Sequence, residues 1–188
     1  MTDEQETPQE PHARFVSFLL GLAGREDRGA LAALRRGLGK EAAPPAEMLR
    51  LVVPYLPADR PWEHRWYYTI GALFGLYPHS GGQGNLGNTF RRLGNHESAQ
   101  KRFVALLDAH PDDLPYHLRQ AVALAKSNDV KINWYRLLED LLHWRTESRY
   151  VQQRWARAYW APQQTENEAR DTSPAATDSE KGDHMKQG

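Results

Sequence analysis

"GGQGNLGNTFRRLGNHESAQKRF", residues Gly81 to Phe103, admits three readings, and choosing among them decides the fold. Gly82, Gly84 and Gly87 stand in the G-x-G-x-x-G order of a dinucleotide-binding turn. Leu86, Gly87, Phe90, Ala99, Phe103 and, further on, Pro111 stand at the spacing of a tetratricopeptide helix pair. Arg91, Arg92, Lys101 and Arg102 add a basic cluster. The dinucleotide turn needs a strand before it and a βαβ unit around it. Here a Pro-interrupted helix end precedes the glycines and no strand pattern follows, so they read as a loop. The repeat needs to recur, because one unit cannot bury its own apolar face. A shift of about 34 residues, the repeat length, puts Gln120 and Ala121, or Val52 and Val53, where Leu and Gly belong. One helical hairpin is left, not an array.

Outward from this stretch, the apolar residues recur at three and four, the period of helices packed on one face. Towards the N-terminus, "HARFVSFLLGLAG" sets Phe15, Phe18, Leu19 and Leu22 on one side. "DRGALAALRRGLG" does the same with Leu31, Leu34 and Leu38, with Asp27 as its cap and Gly39 near its end. "PPAEMLRLVVPYL" starts at its prolines and stops at Pro54. "PWEHRWYYTIGALFGLY" is apolar on most sides and predicts the most buried helix, over 61–77. Towards the C-terminus, helices are predicted at about 88–94, 96–110, 113–127, 133–144 and 146–160. In "NWYRLLEDLLHW", Trp134, Leu137, Leu138 and Leu141 form one stripe with Arg136, Glu139, Asp140 and His143 opposite. The fold class is all-α. The organisation read here is a polar acidic tail over 1–11, a helical bundle over 12–78, a Gly-rich linker over 79–87, a second bundle over 88–161 and a polar tail over 162–188. Both tails lack apolar periodicity and predict disorder.

The composition narrows function. The chain has 188 residues and no cysteine, which excludes disulfides, thiolate metal sites and thiol nucleophiles. The first residues, "MTDEQETPQEP", lack the basic and apolar regions of a signal peptide, and no apolar run approaches the ~20 residues of a membrane span. A cytoplasmic protein with no membrane partner is expected. The eight histidines include no His-x-x-x-His pair and no Glu-x-x-His. "DAHPDD", 108–113, gathers acids and a histidine at a helix junction, where Asp112 or Asp113 reads as an N-cap. No catalytic residue, metal site or cofactor is predicted.

The net charge of zero hides an uneven distribution. Residues 1–13 carry −4 and residues 161–188 carry −3, so residues 14–160 carry +7, from 21 bases and 14 acids. Seventeen of those bases are Arg, whose planar fork suits phosphate better than the ammonium of Lys. An anionic polymer is the partner such a body suggests, although a solvated basic surface gives the same composition. Arg28 and Arg35 flank the leucine stripe of their helix and Arg36 faces away. Arg91, Arg92, Lys101, Arg102, Arg119 and Lys126 continue the basic series, with Lys101 pointing away from Phe103 and Leu107. On "TESRYVQQRWARAYW", Val151, Trp155, Ala158 and Tyr159 form the core stripe, with Arg149, Arg154 and Arg157 on the opposite arc. Trp144 and Trp155 read as core. Tyr150 and Trp160 are open to either packing or stacking on unpaired bases.

These residues carry a resemblance. "NLGNTFRRLGNHESAQKRFVALLDA", "YHLRQAVALAKSNDVKINWYRLLEDLLHW" and "RWARAYW" together resemble the small-subunit family of the type I-E CRISPR interference complex, CasB in Cascade. The Asn-Leu-Gly turn, the basic pair before Phe103, the Leu118–Arg119 pair and the Ile132–Trp134 helix start carry it, with "RGALAALRRGLG" as an Arg-bearing early helix. It covers 84–160 well and 14–56 loosely. It implies an all-helical, non-enzymatic subunit, present in two copies, that packs on the backbone and large subunits beside guide RNA and target DNA and supports the displaced strand. By motif position it points to Lys101, Arg102 and Arg119, then to Arg35 and Arg36. The 81–84 glycines and the acidic tails have no counterpart in it. The rival expectation is a helical adaptor that binds a protein through the 62–77 helix or the 86–111 hairpin, with no nucleic-acid role.

Overall fold

A computed structural model describes residues 10–94 and 96–162, and every regular element among them is helical. The helices are α1 (Pro11–Gly24), α2 (Arg28–Arg35), α3 (Ala46–Val52), α4 (His64–Leu76), α5 (Leu86–Arg92), α6 (Glu97–Leu107), α7 (Leu114–Ser127), α8 (Trp134–Leu142) and α9 (Tyr150–Trp160). The predicted boundaries hold to within a few residues. Single 3-10 turns at Val53–Tyr55 and Pro61–Glu63 mark where prolines break the α pattern. Pro11 already opens α1, where its missing N–H costs nothing. The expectations for 1–9 and 163–188 lie outside the described residues.

Local chemistry explains the ends. Asp27 caps α2 by accepting from the Ala30 N–H at 3.0 Å, as its position predicted. Asn85 and Asn88 form a reciprocal capping box at the start of α5. Asn133 caps α8 through the Arg136 N–H. The cap expected from "DAHPDD" is not made: Asp113 occupies the N-cap position of α7 without a side-chain bond. Asp112 instead accepts from Arg65, 47 residues earlier in the chain.

Helix α4 is the axis of the molecule. Nine of its residues are buried, from Trp66 to Gly75, which matches its all-round apolar sequence. Helices α1, α2, α3, α7 and α8 all pack on it, while α5 packs on α9 and α6 on α7. Buried residues thus pack across the Gly-rich segment that the two-bundle reading sets between its halves. Phe15, Leu34, Ile70, Phe74, Trp134, Leu138 and Trp155 belong to one continuous cluster. Phe74 meets Trp134 edge-on with ring centroids 5.4 Å apart, across the expected boundary.

Residues 78–85 form no regular element, yet they are packed rather than merely connecting. A Cβ on Gly82 would lie 2.0 Å from the Ile132 carbonyl carbon, so only glycine lets this backbone lie against that one. His79 is buried beside it and accepts the Ile132 N–H at 3.3 Å.

The polar faces needed one correction. Asp140, placed opposite the α8 stripe by periodicity, is fully buried. Its carboxylate accepts from the Trp155 indole N–H at 2.5 Å and lies against Arg154 and Arg136. Burial pushes its pKa up, opposed by the Trp155 hydrogen bond and the two guanidiniums. The network ties α8 to α9. Trp144 and Trp155 are core residues as read, and Tyr150 and Trp160 are partly exposed.

Candidate nucleic-acid interface

The basic residues sort by what already holds them. Arg91 donates from Nε to the Tyr159 carbonyl at 3.1 Å and also to the Ala161 carbonyl, so it caps the end of α9. Arg92 donates to the carbonyls of Gln83 at 3.0 Å and Lys131 at 3.2 Å, pinning the Gly-rich segment. Arg36 is paired with Glu47 across the α2–α3 turn. Lys101 is exposed, as predicted from its angle, and paired with Glu97 one turn earlier at 2.7 Å. Lys126 donates to the Leu76 carbonyl at 3.0 Å, at the C-terminal end of α4, where a cation meets the negative end of the helix dipole. Arg28, Arg35, Arg102 and Arg119 are exposed and have no hydrogen bond or ion pair among the described residues. Those four are free to meet an external anion.

The fold gathers several of them around α4. The Arg35 backbone N–H lies against Gly75, where a Cβ would stand only 2.6 Å away. Lys126 reaches the next residue, Leu76. Arg35 of α2 and Lys126 of α7 therefore converge on the last turn of α4. At the other end of α4, Arg65 donates to the Asp112 carboxylate and the Pro111 carbonyl, both at 2.9 Å. That hydrogen bond, with the charges of Arg65, His110 and Arg145, holds the Asp112 pKa below the usual carboxylate value. Beside that pair lies a groove of about 520 Å3, walled by the turn after α2 (Gly39, Glu41, Ala42) and the start of α7 (Pro115, Tyr116, Arg119).

On α7, at ~100° per residue, Tyr116, Arg119, Ala123 and Lys126 fall within an arc of about 80°, opposite the buried Leu114 and Ala121. Arg102 stands five residues before the end of α6 and Arg119 five residues after the start of α7, on two helices that pack together. Tyr116 and Arg65 are members of this surface that the sequence reading did not single out. The signal for Tyr116 was present: an aromatic on the polar face of an amphipathic helix, one turn before an Arg. The partner of Arg65 lies too far along the chain to be read.

The adaptor reading loses its first surface, because α4 turns its aromatics inward: Trp66 and Tyr67 are buried, although Trp62 in the preceding turn is 68% exposed. Among the described residues no three His, Asp or Glu side chains gather as a metal site, and no helix is long and apolar enough to cross a membrane.

Fold and surface define an all-helical protein with exposed, unpaired arginines, one of which, Arg119, lines a groove beside the start of its central helix. The profile of "CRISPR-associated protein Cse2" matches residues 30–160, and the chain belongs to that family, the CasB family of type I-E Cascade. A Cse2 protein of Thermus thermophilus is 36% identical over 167 residues, 84% of this chain and 95% of that one. A crystal structure of a Cse2-family protein from the same organism superposes with a TM-score of 0.70 at 35% identity, covering 82% of this chain and all of that one. A chain of a CRISPR RNA-guided surveillance complex superposes with a TM-score of 0.69 at 28% identity, covering 79% and 91%.

Proposed function

We propose that this chain is the non-catalytic small subunit of an RNA-guided CRISPR surveillance complex, where it binds nucleic-acid backbone and stabilises the target-bound R-loop. The observation that carries this reading is the set of exposed, unpartnered Arg35, Arg102 and Arg119, held by helices packed on α4 and α7. Its relative sits in a CRISPR RNA-guided surveillance complex. The partners follow by family: the backbone and large subunits, a second copy of the chain, and the guide RNA, target DNA and displaced strand.

The mechanism requires no bond to be made or broken. Opening a duplex against a guide exchanges one duplex for another of similar stability, so a few added contacts decide the balance. Cations on a rigid helical face bind phosphates that the closed duplex does not place there. Such contacts are indifferent to sequence and release counterions, so they weaken steeply with salt.

The test compares complexes assembled with the wild-type chain and with Arg35→Ala, Arg102→Ala and Arg119→Ala combined. The variant complex should hold its guide RNA, lose affinity for matched duplex target, and show a salt slope shallower by about one per lost phosphate contact. A complex lacking the subunit should lose more. Full target affinity without the subunit would overturn the proposal.

A further inference from the structure

We infer that the groove between the 39–42 turn and the start of α7 receives a single unpaired nucleobase, stacked on Tyr116, with its phosphate on Arg119. This rests on the reading of the chain as a backbone binder and adds a preference for single strands.

Tyr116 is 63% exposed although it belongs to a helix with a full apolar face of its own. It stands three residues before Arg119, so ring and guanidinium are neighbours on one helix face. Pro115 and Ala42 supply further apolar wall. The groove's 520 Å3 lies within the roughly 300–1,000 Å3 of sites for ligands of drug size.

The charges say which part of a nucleotide belongs inside. The lining holds two cations, Arg65 and Arg119, and two carboxylates, Glu41 and Asp112. Arg65 is taken up by Asp112 and Pro111, and Glu41 accepts the Gly39 N–H at 3.0 Å. The interior is thus balanced, which suits a neutral planar ring and disfavours a bare phosphate. Arg119 keeps its donors free for the backbone on either side of that ring. Every base has a π-face, so the site reads strandedness and not sequence.

The full-length chain and its Tyr116→Ala, Tyr116→Trp and Arg119→Ala variants are titrated with a single-stranded oligonucleotide carrying 2-aminopurine and with the matching duplex. Tyr116→Ala should weaken single-strand binding roughly 5- to 150-fold, the factor corresponding to ~1–3 kcal/mol of stacking, and weaken duplex binding far less. Tyr116→Trp should restore it, and wild-type binding should quench the 2-aminopurine. Arg119→Ala should weaken both substrates. If Tyr116→Ala binds single strands like wild type while Arg119→Ala still fails on both, the base site is wrong and the backbone reading stands. If the wild-type chain binds neither substrate at low salt, both fall. Undiminished oligonucleotide binding by Tyr116→Ala together with failure to dock into the complex would assign the groove to a protein partner and overturn the inference.

Discussion

His79 shows how much one buried ring can carry. Its Nδ1–H faces the Ser80 carbonyl at 3.4 Å and its Nε2 accepts the Ile132 N–H at 3.3 Å, so the neutral tautomer satisfies both neighbours. Burial lowers its pKa from 6.5 to about 4. Between those values the unfolded chain binds a proton that the folded chain excludes, so acid favours unfolding. The contribution is complete above pH 6.5 and lost as pH falls towards 4, and it amounts to on the order of 3 kcal/mol. His79→Gln keeps an acceptor for Ile132 without titrating. Urea denaturation at steps from about pH 7 to 4, the span of the two titrations, should show the wild type losing stability relative to this variant. Parallel curves would remove the assignment. None of this was legible in sequence, where His79 was one of eight scattered histidines. The same holds for Arg91 and Arg92: their charge could be read, but the carbonyls they serve come from other parts of the chain.

Helices were far more legible than their partners. Spacing alone located all the stripes, because burial of one face imposes period 3.6 whatever the neighbour is. It also set Gly87 at a fixed position of the helix-pair pattern. What it could not supply was the approaching element. The hairpin reading implied α6, whereas the most extensive contact of α5 is with α9. Asp140 failed for a related reason: one buried carboxylate breaks no periodicity, and its donors arrive from another helix. The two most extensive helix contacts, α2 with α4 and α5 with α9, each pass over a glycine, Gly75 and Gly87. A Cβ on Gly87 would stand 2.1 Å from the Trp155 carbonyl oxygen, a backbone atom that cannot turn aside. Gly87→Ala should therefore push α9 from α5 and cost about 1–3 kcal/mol, the usual penalty of overpacking, despite alanine's better helix propensity. Gly29→Ala, whose Cβ meets only the Asp27 carboxylate at 3.6 Å, is the control and should be neutral or stabilising. A fall in urea midpoint at constant m-value for Gly87→Ala alone is the expected result.

At the scale of the molecule, α4 fixes the candidate interface. Arg35 arrives on α2 and Arg119 and Lys126 on α7, and both helices take their position from α4. The basic surface is therefore as rigid as the core beneath it, and phosphate contacts cost little ordering entropy. That argument requires one core. A chain of two independent bundles would let α2 and α7 drift apart, since they fall on opposite sides of the expected boundary. The contacts across that boundary include the Phe74–Trp134 ring pair, the Arg65–Asp112 ion pair, the Tyr77–Asp129 hydrogen bond and the Lys126 cap on Leu76. Tryptophans report on both sides, Trp66 from the first group and Trp144 and Trp155 from the second. Denaturation followed by tryptophan fluorescence and by far-ultraviolet circular dichroism should give coincident single transitions. Trp134→Leu removes the ring that crosses the boundary and should cost at most the ~3–5 kcal/mol of truncating a buried aromatic side chain to alanine. It should shift the transition without dividing it. Two separable transitions, in the wild type or in this variant, would mean that the halves fold independently and that the placement of Arg35 relative to Arg119 is not set by the core.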